Sequence, residues 1–140
     1  MEAKVVQVQG ITLLGKTDSN HWVAMDGPAD FGGKSAAIRP KELILLSLGG
    51  CTGMDVISIL QKMHEPVQRF EIDLKAESAS DHPKVFTKIH ITYKFWGESL
   101  KKANLEKAIT LSQERYCSVT AMLRNSVEII HSYEINPNQN

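Results

Sequence analysis

The sequence has few cysteines. There are two in 140 residues, Cys51 and Cys117, and they do not form a C-x-x-C pair. Structural zinc sites usually have closely spaced cysteine and histidine ligands. Here the cysteines lie 66 positions apart and the five histidines are scattered along the chain. We therefore expect no metal site.

The chain also lacks an excess charge, since 16 basic residues balance 16 acidic ones. A surface that binds nucleic acid or an anionic membrane needs clustered Lys and Arg, so neither partner is expected. No unbroken run of about 18 apolar residues predicts a transmembrane helix. Residues 1–5 lack the pattern of a signal peptide. We expect a cytoplasmic protein, in which a cysteine pair is more often catalytic or redox-sensing than structural.

What is present is typical of a globular protein, with 42% hydrophobic and 23% charged residues. A chain of this length is the size of one domain, so residues 1–140 are predicted to form a single domain. A domain this small leaves about a third of its unfolded-state surface exposed. Dimerisation is one way to bury more of it.

Hydrophobic periodicity predicts an α+β fold with mostly antiparallel pairing. Apolar and polar residues alternate in the predicted strands and recur at helical spacing in the predicted helices. The predicted elements are, in order, three strands before residue 26, a helix from Pro40 to about His64, a hairpin over residues 69–95, a helix over 99–116, a second helix from Cys117 or Ser118 to about Arg124, and a last strand from Val127.

The helix that begins at Pro40 carries apolar residues on nearly every side. Such a helix is buried all round. In one small domain this predicts a central helix that is enclosed by the sheet and by a partner chain.

Cys51 lies in this helix between Gly50 and Gly53, with Gly49 one residue earlier. Three glycines cost roughly 2–3 kcal/mol of helix propensity, and a close approach of another group is the usual reason for them. Cys51 also belongs to a narrow polar stripe on the apolar helix. The alternative, that Cys51 is a small core residue, is about equally favoured. The stripe consists of Ser47, Cys51, Asp55 and Ser58.

A buried Asp55 would need a cation or several hydrogen-bond donors. Arg39 and Arg115 are the candidate cations. Cys117 precedes the short predicted helix, where a helix N-terminus would stabilise a thiolate. A capping role for Ser118 explains the same residues without chemistry.

Two segments resemble the OsmC/Ohr family of organic-hydroperoxide reductases and osmotically induced proteins. They are RPKELILLSLGGCTGMDVISIL from Arg39 and LSQERYCSVTAML from Leu111. The GGCTG motif is similar to the corresponding motif of the OsmC-like branch of this family. The resemblance implies an OsmC-like fold in an intertwined homodimer, with antiparallel sheets wrapped around central helices and two sites at the subunit interface. It also implies that Cys51 is the peroxidatic cysteine and Cys117 the resolving one.

The chemistry implied by this resemblance is the reduction of organic hydroperoxides. The Cys51 thiolate would attack the hydroperoxide and become a sulfenic acid, which Cys117 would convert to a disulfide. An external dithiol would then reduce the disulfide, and in the family this donor can be a lipoylated protein. The resemblance implies no bound cofactor.

The sequence departs from the family at the groups that activate the thiolate. Peroxidases of the family use an N-terminal Arg and a Glu ten residues before the cysteine, where this chain has Lys41. Glu42 would lie about 180° from Cys51 around an unbroken helix, against about 80° for Lys41. No Arg precedes Arg39, and a cation near the helix start could still lower the pKa of Cys51.

Two functions remain open at this point. The retained cysteine pair favours a thiol peroxidase. The unmatched Arg and Glu favour a non-peroxidase OsmC-like protein, which binds a small apolar or electrophilic ligand at the dimer interface or acts as a thiol redox sensor.

Overall fold

The computed structural model describes residues 1–138. It contains six strands, three α-helices, one 3-10 turn and one π-helical turn in this part of the chain. The elements are β1 (Ala3–Gln9), β2 (Thr12–Thr17), β3 (Val23–Met25), the 3-10 turn Ala29–Phe31, α1 (Pro40–Lys62), β4 (Arg69–Ser78), β5 (Phe86–Trp96), α2 (Lys102–Leu111), the π-helical turn Ser112–Tyr116, α3 (Ser118–Leu123) and β6 (Glu128–Ile135).

The strands form two three-stranded sheets, with the orders β1-β2-β3 and β4-β5-β6. Three of the four strand pairs are antiparallel, and β6 joins β5 in parallel. The predicted α+β class and its mostly antiparallel pairing are confirmed. The parallel pair follows from the helical connection, because a hairpin turn cannot join parallel strands.

The chain divides into two compact units, Met1–Ile44 and Leu45–Asn140, of which the second is described to residue 138. The first contains the β1-β2-β3 sheet and the glycine-rich loop after it. The buried carboxylate of Asp26 organises this loop, since it accepts hydrogen bonds from the amides of Gly27 at 2.8 Å, Lys34 at 3.0 Å and Ala36 at 3.0 Å.

The core of the second unit is built on β5. The inward residues of this strand are fully buried and alternate with half-buried ones, as expected for a strand between two neighbours. Burying each large apolar side chain contributes roughly 1.5–3 kcal/mol. The principal core residues are Leu48, Val56 and Leu60 of α1, Ile89, Ile91, Tyr93 and Phe95 of β5, and Leu105, Ala108 and Ile109 of α2.

Two glycines allow α1 to approach β4 closely. A Cβ atom on Gly49 would lie 2.7 Å from Cδ1 of Leu74, and one on Gly53 would lie 3.1 Å from Cδ1 of Ile72. These distances explain two of the three glycines by helix–sheet packing. A Cβ atom on Gly50 would meet nothing within 4 Å in the described chain.

Helix α1 is buried on one side only in the single chain, so the predicted enclosure of its other side by a partner chain stays a prediction. Four of its large apolar residues are exposed: Ile44, Leu46, Met54 and Ile57. By length and composition alone α1 could cross a membrane, contrary to the sequence expectation. A core helix passes the same test, and we assign α1 to the core because Leu48 and Val56 are fully buried.

Candidate functional site

The structure brings together the two cysteines that are distant in the sequence. Cys51 lies in the middle of α1, and Cys117 is the residue that caps the N-terminus of α3. Both are free thiols. Their Sγ atoms and a carboxylate oxygen of Asp55 all lie within 4.8 Å of one another. This cluster, which we call the dithiol–Asp55 cluster, is the candidate site.

A π-helical turn leads into Cys117. The sequence predicted one helix over residues 99–116, but α2 ends at Leu111 and the chain widens into the turn Ser112–Tyr116. The amide of Cys117 donates a hydrogen bond to the carbonyl oxygen of Ser112 at 2.9 Å, which is the five-residue spacing of a π-helix. Such turns occur frequently at functional sites.

Cys51 is the sulfur on which a thiolate is favoured. Burial by itself raises its pKa, but the backbone amide of Val119, the thiol of Cys117 and the hydroxyl of Ser118 act against this. They outweigh burial and the like charge of Asp55, so the pKa of Cys51 lies below the ordinary thiol value. The Ser118 Oγ atom is 3.8 Å from the Cys51 sulfur.

Cys117 has the opposite shift. Burial raises its pKa, and the neighbouring Cys51 raises it further, against the lowering effect of the hydroxyl and the amide of Thr120. The Thr120 amide donates a hydrogen bond to the Cys117 sulfur at 3.4 Å. Cys117 is therefore the cap of α3, where the sequence suggested Ser118. The start of α3 thus favours a thiolate on Cys51, while burial favours the thiol form of Cys117.

A buried polar network that the sequence analysis missed lies behind the cysteines. The hydroxyl oxygen of Thr52 is 2.6 Å from that of Tyr93 and 2.8 Å from that of Ser112. The side-chain amide of Gln113 donates to Thr52 at 3.0 Å and to Tyr93 at 2.7 Å. Burial raises the pKa of Tyr93. The one sequence signal was Thr52 itself, a polar residue beside Cys51 in an apolar helix.

Ser112 connects this network to Asp55. Its hydroxyl donates a hydrogen bond to Oδ2 of Asp55 at 3.1 Å. The predicted cation partner Arg115 instead has its guanidinium carbon 5.5 Å from the centre of the Tyr116 ring. A neutral hydroxyl thus supplies a donor to Asp55.

A cavity of about 400 Å³ opens beside Asp55. Its walls are apolar at Ile59, Met63 and Leu111, and Lys62 and Lys107 place two cations on its lining. The cavity therefore offers both an apolar wall and positive charge, and it adjoins the dithiol–Asp55 cluster through Asp55.

The other predicted site residues, Arg39, Lys41 and Glu42, belong to the first compact unit. Helix α1 continues from Pro40 to Lys62 without a break at its glycines. Oε2 of Glu42 accepts a hydrogen bond from the amide of Arg39 at 3.0 Å, which caps the start of the helix. A role for these three residues in the chemistry stays a prediction.

Comparisons with known proteins give consistent results. The family model described as OsmC-like protein matches residues 32–132. The chain is 42% identical over 135 residues to Protein YhfA of Escherichia coli K12, which covers 96% of this chain and 98% of that protein. A hypothetical protein from Aquifex aeolicus VF5 is 33% identical, with a TM-score of 0.85 over 99% of this chain and 97% of that one.

A more distant structure shares the fold. It is an organic hydroperoxide resistance protein OsmC from Legionella pneumophila, 16% identical, with a TM-score of 0.69 over 95% of each chain. The comparisons thus confirm the family resemblance that the two cysteine motifs indicated. They also confirm the α+β fold. The matched family model covers both cysteines and most of the chain, and this protein belongs to the OsmC-like family.

Proposed function

We propose that this protein is a thiol-dependent peroxidase that reduces organic hydroperoxides, with Cys51 as the attacking residue and Cys117 as the resolving residue. The observation that carries the proposal is the arrangement of the two sulfurs. They lie within 4.8 Å of each other, the half-buried one favours the thiolate, and the buried one favours the thiol.

The proposed first step is an attack of the Cys51 thiolate on the terminal oxygen of the hydroperoxide. The O–O bond breaks, the alkoxide takes up a proton and leaves as the alcohol, and Cys51 becomes a sulfenic acid. Cys117 then attacks the sulfenic sulfur, the S–O bond breaks, and one water and a Cys51–Cys117 disulfide form. An external dithiol reduces this disulfide and is itself oxidised.

The hydrogen-bond donors around Cys51 support this assignment, although the Arg–Glu pair of the resemblance is unmatched. The Val119 amide and the Ser118 hydroxyl interact with the thiolate and so take on part of the role that the pair would have. Neutral donors stabilise a thiolate less than a paired Arg does. We therefore expect a slower attack than the family pattern implies.

The cavity beside Asp55 supports an organic substrate. Ile59, Met63 and Leu111 provide an apolar wall for the hydrocarbon part of a hydroperoxide. Hydrogen peroxide has no such part and gains nothing from this wall. We therefore expect the enzyme to prefer organic hydroperoxides.

We further propose that the protein acts as a homodimer in the cytoplasm, where a lipoylated protein or another dithiol restores the reduced state. The exposed apolar residues of α1 support the dimer, since Leu46 is 59% and Met54 is 70% exposed. Sedimentation should give a dimer, and Met54→Glu should weaken it. Val85→Glu, an equally apolar exposed position away from α1, is the control.

The second candidate is a non-peroxidase protein that binds a small apolar or electrophilic ligand, or senses oxidants through its thiols. The observation that favours it is the presence of Lys41 at the family's Glu position, with no Arg before Arg39. This candidate predicts ligand binding without rapid turnover of hydroperoxide.

Stopped-flow oxidation by cumene hydroperoxide separates the two candidates. The reduced wild type should lose both thiols and form an intramolecular disulfide, faster than with hydrogen peroxide. Cys117→Ser should stop at a sulfenic acid that dimedone traps, and Cys51→Ser should not react. A wild type that reacts no faster than a free thiol in solution would contradict the peroxidase proposal.

A further inference from the structure

We propose that the reduced dithiol–Asp55 cluster is a binding site for one soft divalent cation, Zn²⁺ or Cd²⁺, with Cys51, Cys117 and Asp55 as its ligands. The two sulfurs and a carboxylate oxygen lie within 4.8 Å of one another. This inference concerns metal binding and does not depend on peroxidase activity.

The geometry fits a tetrahedral ion after a small contraction. Zn–S bonds of about 2.3 Å place two thiolate sulfurs about 3.8 Å apart in a tetrahedral site. The two sulfurs need a contraction of about 1 Å at most to reach this spacing, each sulfur–oxygen pair needs slightly more, and the longer bonds of Cd²⁺ need less. Cys51 and Asp55 are four residues apart on α1, so both side chains lie on one face of the helix.

The donor types also fit. Two thiolates with one carboxylate form a soft ligand set, and thiolates select Zn²⁺ and its heavier relatives over Mg²⁺ or Ca²⁺. A water would be the fourth ligand of a tetrahedral ion, and Cys51 is only half buried. Sequence spacing gave no indication of this set, because the fold alone brings Cys117 to α1.

The groups behind the ligands hold them in position. The Ser112 hydroxyl donates to Asp55 at 3.1 Å and lies 2.8 Å from the Thr52 hydroxyl, so the carboxylate is oriented by the buried network. The Thr120 amide donates to the Cys117 sulfur at 3.4 Å. Such outer contacts orient metal ligands and raise their affinity.

The charge of the cluster also favours a cation. The Asp55 carboxylate and the Cys51 sulfur lie within 4.8 Å of each other, so their anionic forms would repel each other unless a cation lay between them. Lys62 and Lys107 line the cavity beside Asp55, but the hydrogen-bond donors named here for the three ligands are amides and hydroxyls, which carry no charge. A bound cation would neutralise both groups and hold Cys117 as a thiolate. It would also shield both sulfurs from oxidants.

The test is a titration of the reduced full-length protein with Cd²⁺, followed by the ultraviolet sulfur-to-cadmium charge-transfer absorption. We expect one ion per chain, an intensity typical of two sulfur ligands, release of protons on binding, and displacement by Zn²⁺. Cys51→Ser and Cys117→Ser should each halve the intensity. Asp55→Asn should keep the intensity and lower the affinity on the order of tenfold.

The matched control is Asp73→Asn, which removes a carboxylate of the same unit that pairs with Lys94 outside the site. It should bind like the wild type. A footprint on the wild type avoids any dependence on variant folding, because Zn²⁺ should protect both cysteines from iodoacetamide. The proposal would be overturned if Zn²⁺ protected neither thiol or only one of them. It would also be overturned if the absorption intensity matched a single Cd–S bond, or if Cys117→Ser bound Cd²⁺ with unchanged affinity.

Discussion

The sulfurs of Cys117 and Cys51 lie within 4.8 Å of each other, and the two residues have opposite pKa shifts. The pKa of Cys51 is lowered because the donors of the Val119 amide, Cys117 and Ser118 outweigh burial. The pKa of Cys117 is raised, chiefly by burial. A thiolate is thus favoured on Cys51, the more accessible of the two sulfurs.

The first prediction concerns the order of thiol alkylation. With limiting iodoacetamide at neutral pH, Cys51 should be modified several-fold faster than Cys117, because the thiolate is the nucleophile and Cys117 is only 2% exposed. Peptide mapping by mass spectrometry gives the order. Faster labelling of Cys117 would contradict this charge assignment.

The second prediction concerns the buried polar network. Thr52→Val removes the hydroxyl that accepts from Gln113 and lies against Tyr93 and Ser112, so buried polar groups lose a partner. The free energy of unfolding should fall by about 1–3 kcal/mol in chemical denaturation. Thr92→Val, in a half-buried position of β5, is the matched control and should lose less. Equal losses in the two variants would contradict the importance of the network.

The third prediction concerns two neighbouring glycines of α1. Gly49→Ala should destabilise the protein by about 1–3 kcal/mol, because its Cβ would lie 2.7 Å from Leu74 and force that side chain to shift. Gly50→Ala meets nothing within 4 Å and should gain up to about 1 kcal/mol from helix propensity. Thermal unfolding of both variants checks the difference, and a Gly49→Ala variant at least as stable as Gly50→Ala would contradict it.

The fourth prediction concerns acid stability. The amide of Ala36, and then those of Gly27 and Lys34, hold the pKa of Asp26 below its ordinary value of 3.8 against the effect of burial. A carboxyl whose pKa is lower in the folded state stabilises the protein above pH 3.8 and loses this contribution as the pH falls through the folded value.

The corresponding variant is Asp26→Asn. It should be less stable at neutral pH and should lose less stability between neutral pH and pH 3 than the wild type. Denaturation midpoints measured across this range give the result. The exposed Asp30→Asn is the control and should keep the wild-type pH dependence. A wild-type pH dependence in Asp26→Asn would show that Asp26 does not carry the effect.

Local patterns were enough to predict most of the fold. All six strands and α1 follow from periodicity, because alternation and helical spacing report which face of a segment is buried. The turn Ser112–Tyr116 was missed because the pattern of α2 continues through it and nothing in the pattern marks a widened turn. The parallel addition of β6 to β5 also depends on the whole connection and has no local signal.

The sequence predicted the two thiols of the candidate site but not the residues that surround them. Cys51 and Cys117 were identified from two motifs, but the network of Thr52, Tyr93 and Gln113 joins three elements that are distant in the chain. The side chains that meet at such a point depend on packing. The same reason explains why Asp55 pairs with Ser112 and not with a predicted arginine.

The parallel pairing of β5 with β6 has a consequence for the integrity of the candidate site. The segment between these strands carries α2, the π-helical turn, Cys117 and α3 as one crossover connection. Such a connection is fixed only when its second strand is in place, and β6 is the last element of the described chain. The position of Cys117 is therefore anchored at both ends of this connection, by β5 and by β6. Detachment of β6 would release the connection and allow the two sulfurs to separate.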